Sequence, residues 1–364
     1  MPKSKQVITI LTVGDKEDFD SYIKFHEERA SFLKYGFKYA TISYRRLLEG
    51  IVPAIDTKKI IIFLFFPYSY WNKNIEHIGY KSFYGGLSFF KKFNRFWHMV
   101  NKILKKTFAN KELLFINAPL LSGLYRDKLS VIRKLKYYNI QSPRLYKNSG
   151  VKEIHNLINS GHNLYIKPRC GSMGKGITFL SQSSWKTNFG FKHNKIISRI
   201  SDHNWKIRDI TGNFSFLSKL IKNDVLIQMA IDPLVLKNYM LDLRIYIFFN
   251  KVIYIYPRKN RLHRIVTNIS QGGQGDPSAL KLLPNSQINK ANKIASCVSR
   301  ILRLNLCGID FILDHNQKDV YLIDVNVFPG LPPIRIFNSI KHIAKELVCL
   351  SNRGGLHFEK SSDI

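Results

Sequence analysis

Cysteine is sparse and unpatterned. Cys170, Cys297, Cys307 and Cys349 show neither CxxC spacing nor a disulfide framework, which argues against structural zinc and reads as reduced, mainly buried thiols. Long hydrophobic runs are missing too: the longest, Ile60 to Phe66 (IIIFLFF), is far too short to span a bilayer and reads as a buried strand. The opening MPKSKQVITILTVGDKED carries no signal-peptide hydrophobic region and no small-residue cleavage site, so the expected location is cytoplasmic. Acid is scarce, with 25 Asp and Glu against 57 Lys and Arg and a net charge of +32. From Ile154 to Ser201 there is no acid at all, and from Leu243 to Ile309 only Asp276. Such basic tracts favour anions, phosphates among them. Nucleic acid is not the favoured partner, because no RNP, zinc-finger or helix-turn-helix signature accompanies the charge. No Ser/His/Asp or Cys/His constellation for nucleophilic catalysis stands out either.

What is present begins with size. The chain has 364 residues, 45% of them apolar, which excludes a disordered chain and leaves room for two or three domains. Short apolar runs at Val7–Val13, Ile60–Phe66 and Leu113–Ile116 alternate with helical stretches, the signature of an α/β unit with a mainly parallel sheet, assigned to 1–120. A helix followed by a Pro-containing stretch, Asp127 to Tyr146, opens a second unit taken as 121–231. A strand-rich unit with one helix near Asn289 to Leu304 follows at 232–345, and 346–364 reads as a frayed tail.

Two stretches carry chemistry. In GIDFILDHNQKDVYLIDVNVFPGLPP two β-rich runs flank a polar turn and read as an antiparallel hairpin. Asp324 and Asn326, two apart, share a face, and the hairpin brings Asp310 opposite them. Two carboxylates and an amide oxygen suit Mg²⁺ that also holds phosphates; a polar face on a solvated hairpin is the competing reading. Four aspartates, Asp310, Asp314, Asp319 and Asp324, fall in this one segment of an otherwise basic chain. In LYIKPRCGSMGKGITFL a strand delivers Lys167, then Gly171, Ser172, Gly174, Lys175 and Gly176 form a loop before a strand resumes. Glycines let backbone N–H groups approach oxygen atoms, and the lysines add charge, so the loop reads as a phosphate flap. It is no Walker loop, since a strand follows it where a Walker loop feeds a helix.

A third stretch, 88–108, is a basic amphipathic helix. Phe89, Phe93, Phe96, Trp97, Val100, Leu104 and Phe108 fall at helical spacing, with Lys91, Lys92, Arg95, Lys102, Lys105 and Lys106 mostly elsewhere on the wheel. It suits an anionic membrane surface, making the protein peripheral at the inner membrane face, or else packs its stripe in the first domain.

Together these motifs resemble the ATP-grasp superfamily of carboxylate–amine ligases, over about Ala118 to Pro333. The resemblance implies an ATP-grasp fold: an N-terminal α/β pre-grasp domain and two α+β subdomains clasping ATP. It implies that Lys128 and Lys167 contact the nucleotide, that the GSMGKG flap covers its phosphates, and that Gln228 in VLIQMAI lines the adenine pocket. It identifies Asp310, Asp324 and Asn326 with the family's metal ligands; Asp324 stands where Glu is commoner, one methylene shorter. The chain resembles glutathione synthetase-type enzymes in general, and Arg244, Arg258, Asn268, Gly272 and Gly273 fall in an order similar to relatives of the ribosomal-protein glutamate ligase and to spore-coat-associated ATP-grasp proteins. By that resemblance Arg258 contacts the terminal phosphates, Arg244 orients an acyl phosphate or substrate carboxylate, and Asn268 belongs to the nucleotide site. The implied function is ADP-forming ligation of an amine to a glycan, peptide or small-molecule carboxylate, with ATP and Mg²⁺, Mn²⁺ being able to substitute. A kinase on the same fold and a non-catalytic polyanion-binding protein are the alternatives.

Overall fold

The computed structural model describes residues 7–15, 21–74, 83–147, 150–193, 195–197, 205–316 and 318–360. The apolar runs of the first third become the parallel strands of one sheet. β1 (Ile8–Val13), β2 (Lys38–Ile42), β3 (Lys59–Leu64) and β4 (Glu112–Ile116) lie in the order β4-β3-β1-β2, every pairing among them parallel. β1 is buried throughout and β3 from Ile60 onward, as strands covered by helices on both faces must be. That is why these strands read as unbroken apolar runs.

The helix Leu87–Thr107 covers one face. Phe89, Phe93, Phe96, Trp97, Val100 and Leu104 are buried against Ile60, Ile62 and Trp71, while Lys91, Lys92, Arg95, Lys102 and Lys106 are exposed. Of the two readings of 88–108, the packed one describes the aromatic stripe, which is spent on the core and not offered to a bilayer. No helix among the described residues is long and apolar enough to cross a membrane. The other face is covered from the far end of the chain. Helix Ser339–Asn352 buries Ile340, Ile343, Ala344 and Leu347 against Ile8, Ile10, Ile61 and Phe63. Glu359–Lys360 then pairs antiparallel with the start of β4. The frayed tail expected from 346 is corrected accordingly. The apolar spacing of Ile343 and Leu347 gives the helix a face to bury, and that docking brings the following residues to the sheet edge; 361–364 lie outside the described residues.

The second sheet contains β5 (Leu145–Tyr146), β6 (Leu164–Pro168), β7 (Thr178–Leu180) and β8 (Trp185–Thr187). After a separate hairpin of β9 (Gly190–Lys192) and β10 (Lys195–Ile197), β11 (Arg208–Asp209) and β12 (Val225–Met229) complete it in the antiparallel order β11-β8-β7-β6-β12-β5. Helices Val151–Asn159 and Phe214–Ile221 cover it with Ile154, Ile158, Phe216 and Leu220.

The third sheet has β13 (Val235–Leu236) on β14 (Tyr239–Phe248), then β15 (Lys251–Arg261), β16 (Gln274–Gly275), β17 (Leu306–Leu313) and β18 (Val320–Asn326), ordered β16-β15-β14-β17-β18 and antiparallel. Its helix spans Asn285–Leu302, starting four residues before the expected Asn289, directly after Pro284, and ending at Arg303 with φ 56°. A period of two then divides each strand. Leu243, Ile245, Ile309 and Phe311 face that helix and are fully buried, each such side chain contributing about 1.5–3 kcal/mol by leaving water. The alternate residues Asp242, Arg244, Asp310 and Asp324 fall on the opposite face.

Candidate active site

The hairpin of β17 and β18 sets Asp310 opposite Asp324 and Gly308 opposite Asn326. Asn326 Nδ2 donates to Asp310 Oδ2 at 3.2 Å. Asp310 is buried, and Arg244 grips it with two bonds, Nε to Oδ1 at 2.7 Å and Nη2 to Oδ2 at 2.8 Å. Arg258 Nη2 approaches the same carboxylate at 3.2 Å. Burial alone would push the Asp310 pKa up; the two guanidiniums overcome it and hold the carboxyl at about 2. Asp324 pairs with the Lys128 ammonium, and its Oδ1 accepts from Val325 N–H at 3.0 Å.

A residue that sequence reading passed over completes this network. Asp242 of β14 lies in register with Arg258 of β15, and Arg258 Nε donates to Asp242 Oδ1 at 2.8 Å. The Thr267 hydroxyl donates to the other oxygen at 2.5 Å. Its signal was the alternation of Asp242 and Arg244 with Leu241, Leu243 and Ile245. Arg258 is buried, 3% exposed, and Arg244 is half-buried with its guanidinium against Asp310, so neither lies on a basic outer surface.

The glycine loop joins β6 to β7 as an antiparallel connection. Gly174 and Gly176 have φ of +67° and +71°, and a Cβ would lie 2.7 Å from Asn268 Oδ1 at the first and 2.5 Å from the Phe189 ring at the second. Glycine is required at both on conformation and on space. Asn188 secures the loop from within, donating to Gly174 O at 2.7 Å and accepting from Ile177 N–H at 2.8 Å. Lys167 points inward from β6. Burial, then the neighbouring Lys128 charge, bring its pKa down to about 8, with Asp324 and Asp310 opposing. Gln228 of β12 is 2% exposed, and its Nε2 has no hydrogen-bond partner. A buried amide left unpaired at a cleft wall is unfavourable unless a ligand satisfies it.

These residues line two adjoining clefts. The first, about 1070 Å³ including its open mouth, runs between the second and third sheets. Gln228, Met229 and Ile231 stand at its lining together with Lys167, Lys175 and Asp310. The second, about 2180 Å³, reaches the first domain and is lined by Lys24, Arg126, Arg244, Tyr256, Asn326 and Arg335. Lys128, Gly171, Ser172, Arg258, Asn268 and Asp324 line both and mark their junction. Of the expected site residues, all but Gly176 line at least one cleft; Gly176 shapes the flap from behind, against Phe189. Lys128, Lys167, Lys175, Arg244 and Arg258 outnumber Asp242, Asp310 and Asp324, so the junction favours a polyanion. Among the described residues no cluster of three or more His, Cys, Asp or Glu could hold a metal. Asp310, Asp324 and Asn326 instead make a partial set of hard oxygen donors, which fits Mg²⁺ completed by phosphate and water and not a closed protein cage.

A family model described as YheC/D-like ATP-grasp matches residues 117–348. The chain belongs to that family. Its three-sheet architecture is the ATP-grasp fold, and solved structures share it. A RiPP-associated ATP-grasp ligase from Chryseobacterium gregarium, with ADP and a leader and core peptide, is 14% identical over 94% of this chain and 97% of its own, with a TM-score of 0.56. The ATP-grasp ligase PsnB, with a minimal precursor, Mg and ADP, is 12% identical over 94% and 98%, at 0.52. D-alanine–D-alanine ligase from Bacillus anthracis is 16% identical over 96% and 98%, at 0.55. No curated protein sequence matches the chain.

Proposed function

We propose that this ATP-grasp chain is an ADP-forming carboxylate–amine ligase that activates an acidic acceptor as an acyl phosphate. The observation that carries this reading is the meeting of two clefts at Lys128, Ser172, Arg258 and Asp324. One cleft ends in an unpaired buried amide suited to a base edge. The other is wide, cationic and partly walled by the first domain.

ATP would lie in the first cleft, its base against Gln228, its phosphates under the flap and beside Lys167 and Lys175. Mg²⁺, which Asp310, Asp324 and Asn326 would hold, supplies charge neutralisation and Lewis acidity at the phosphates. Asp242 and Asp310 lock the buried Arg258 guanidinium, so its charge is preorganised where negative charge develops. An acceptor carboxylate oxygen attacks the γ-phosphorus, the bond to ADP breaks, and the acyl phosphate forms. A neutral amine then attacks the acyl carbon, the C–O bond to phosphate breaks, and the amine's proton passes to the departing phosphate. Arg244, fixed by Asp310 on the wall of the second cleft, stabilises the oxyanion of that step. No nucleophilic side chain is needed.

Lys24, Arg126 and Arg335 in the second cleft favour an acidic acceptor. The peptide bound to the Chryseobacterium ligase supports a peptide as the acceptor, ahead of a glycan or small metabolite. The test is an ADP-release screen over acidic peptides and amines with Asp310→Asn as control, with hydroxylamine added to trap the intermediate. Hydroxamate formation is expected. ADP release yielding a stable phosphorylated product and no hydroxamate would make the protein a kinase, and no ATP turnover with any acceptor would remove the enzymatic reading.

A further inference from the structure

Residues 83–86, which lead into the helix Leu87–Thr107, lie against the root of the flap. The Gly85 carbonyl accepts from Cys170 N–H at 2.7 Å, and a Cβ on Gly85, with φ of +67°, would lie 2.6 Å from Gly171 N. On the segment's other side, Asp224 Oδ2 accepts from Leu87 N–H at 2.9 Å and would lie 3.0 Å from a Cβ on Gly86. Two successive glycines therefore let the chain pass between the flap and Asp224. Tyr84 precedes them and is 8% exposed, its ring 5.8 Å from that of Trp205 and 5.4 Å beneath the Lys175 ammonium. Its hydroxyl reaches Ser172 of the flap: Ser172 N–H donates to it at 3.3 Å, and it stands 3.1 Å from Ser172 Oγ. The same Oγ accepts from Arg126 Nη2 at 2.7 Å, and Arg126 lies 5.3 and 5.5 Å over the rings of Phe89 and Phe93 in the helix that the segment begins.

Ser172 sits where the two clefts meet. We infer that Tyr84 is a positioning residue for phosphoryl transfer: its hydroxyl, anchored by the first domain, sets the orientation of Ser172 N–H and Oγ in the flap. The first domain, which helps wall the acceptor cleft, thereby also sets the geometry that holds phosphate. The inference rests on the nucleotide-site reading above. A role in packing alone needs only the ring, which phenylalanine supplies equally well; the contacts to Ser172 need the oxygen.

Tyr84→Phe separates the two. Full-length wild-type and variant protein are titrated calorimetrically with MgATP and with adenosine, which has no phosphate. ATP affinity is expected to fall about 3- to 10-fold, the loss of one or two neutral hydrogen bonds, with adenosine affinity unchanged and the KM for ATP raised while that for the acceptor stays put. In a Ser172→Ala background the effect of Tyr84→Phe is expected to shrink, because the two residues act together. Unchanged ATP affinity overturns the inference, as does an equal loss for ATP and adenosine, which reports general damage to the cleft. A wild-type chain that binds neither ligand overturns the nucleotide-site reading itself, so the two failures are distinct.

Discussion

Neutralising Asp242 should be strongly destabilising. Arg258 is 3% exposed and is matched by two carboxylates, Asp242 through Nε at 2.8 Å and Asp310 at 3.2 Å, while Asp310 already serves Arg244 with two bonds. In Asp242→Asn the buried Arg258 and the half-buried Arg244 would share one carboxylate, leaving the buried Arg258 charge poorly compensated. Breaking a buried pair this way costs about 3–5 kcal/mol, a loss of roughly two to four powers of ten in the folded-to-unfolded ratio. The companion variant Asp242→Asn with Arg258→Met removes the orphaned charge as well. It should recover most of the loss, because a buried ion pair replaced by apolar groups is often close to neutral. Urea denaturation of wild type, both single variants and the double variant gives the coupling directly, through midpoints at constant slope. A single Asp242→Asn variant within about 1 kcal/mol of wild type, or strictly additive effects in the double variant, would refute the claim that the pair is a buried, mutually dependent unit.

Lys167→Met should abolish ATP turnover yet raise stability at neutral pH. Burial lowers the folded-state pKa from 10.5 to about 8, so below pH 8 both states carry the proton and the folded chain bears a cost of about 3 kcal/mol. Between pH 8 and 10.5 the folded state releases its proton first and the cost fades, so the variant's advantage in denaturation midpoint should vanish by about pH 10.5. Asp310, held at about 2 by its arginines, contributes about 2 kcal/mol above pH 4 that is lost as pH falls through 2. Asp310→Asn should remove that acid-side slope in pH-dependent unfolding and, in an ADP-release assay, the response to added Mg²⁺. Gly174→Ala forces a Cβ to 2.7 Å from Asn268 Oδ1 at a φ of +67°; the KM for ATP should rise at least several-fold while the unfolding free energy falls by about 1 kcal/mol.

The sequence made the third sheet's chemistry legible because acid is so rare in it. Asp310, Asp324 and Asn326 stood out by spacing on a hairpin, and the glycine loop between two strands was visible from its neighbours. The parallel first sheet was equally readable, since strands buried on both faces write themselves as apolar runs. Asp242 was not legible as a functional residue, because its meaning depends on lying in register with Arg258 sixteen residues away, across a strand pairing that no local pattern specifies. The basic helix at 88–108 kept two readings open, because an amphipathic stripe looks the same whether it meets a bilayer or a sheet. The closing residues looked like a tail for a related reason. Short apolar spacing within 339–352 says that a face needs burying without saying which distant surface will bury it.

That closing helix has a consequence for how the molecule is made. One face of the sheet built from β1 to β4 waits for Ile340, Ile343 and Leu347, and the β4 edge waits for Glu359 and Lys360, so that sheet is completed only after the two that follow it in the chain. A nascent chain holds an uncovered apolar surface and an unpaired strand edge for the whole interval, a long-range closure that slows folding and invites association. A fragment ending at residue 120 would stay in that unfinished condition, and supplying 339–360 as a separate peptide is the natural way to complete it.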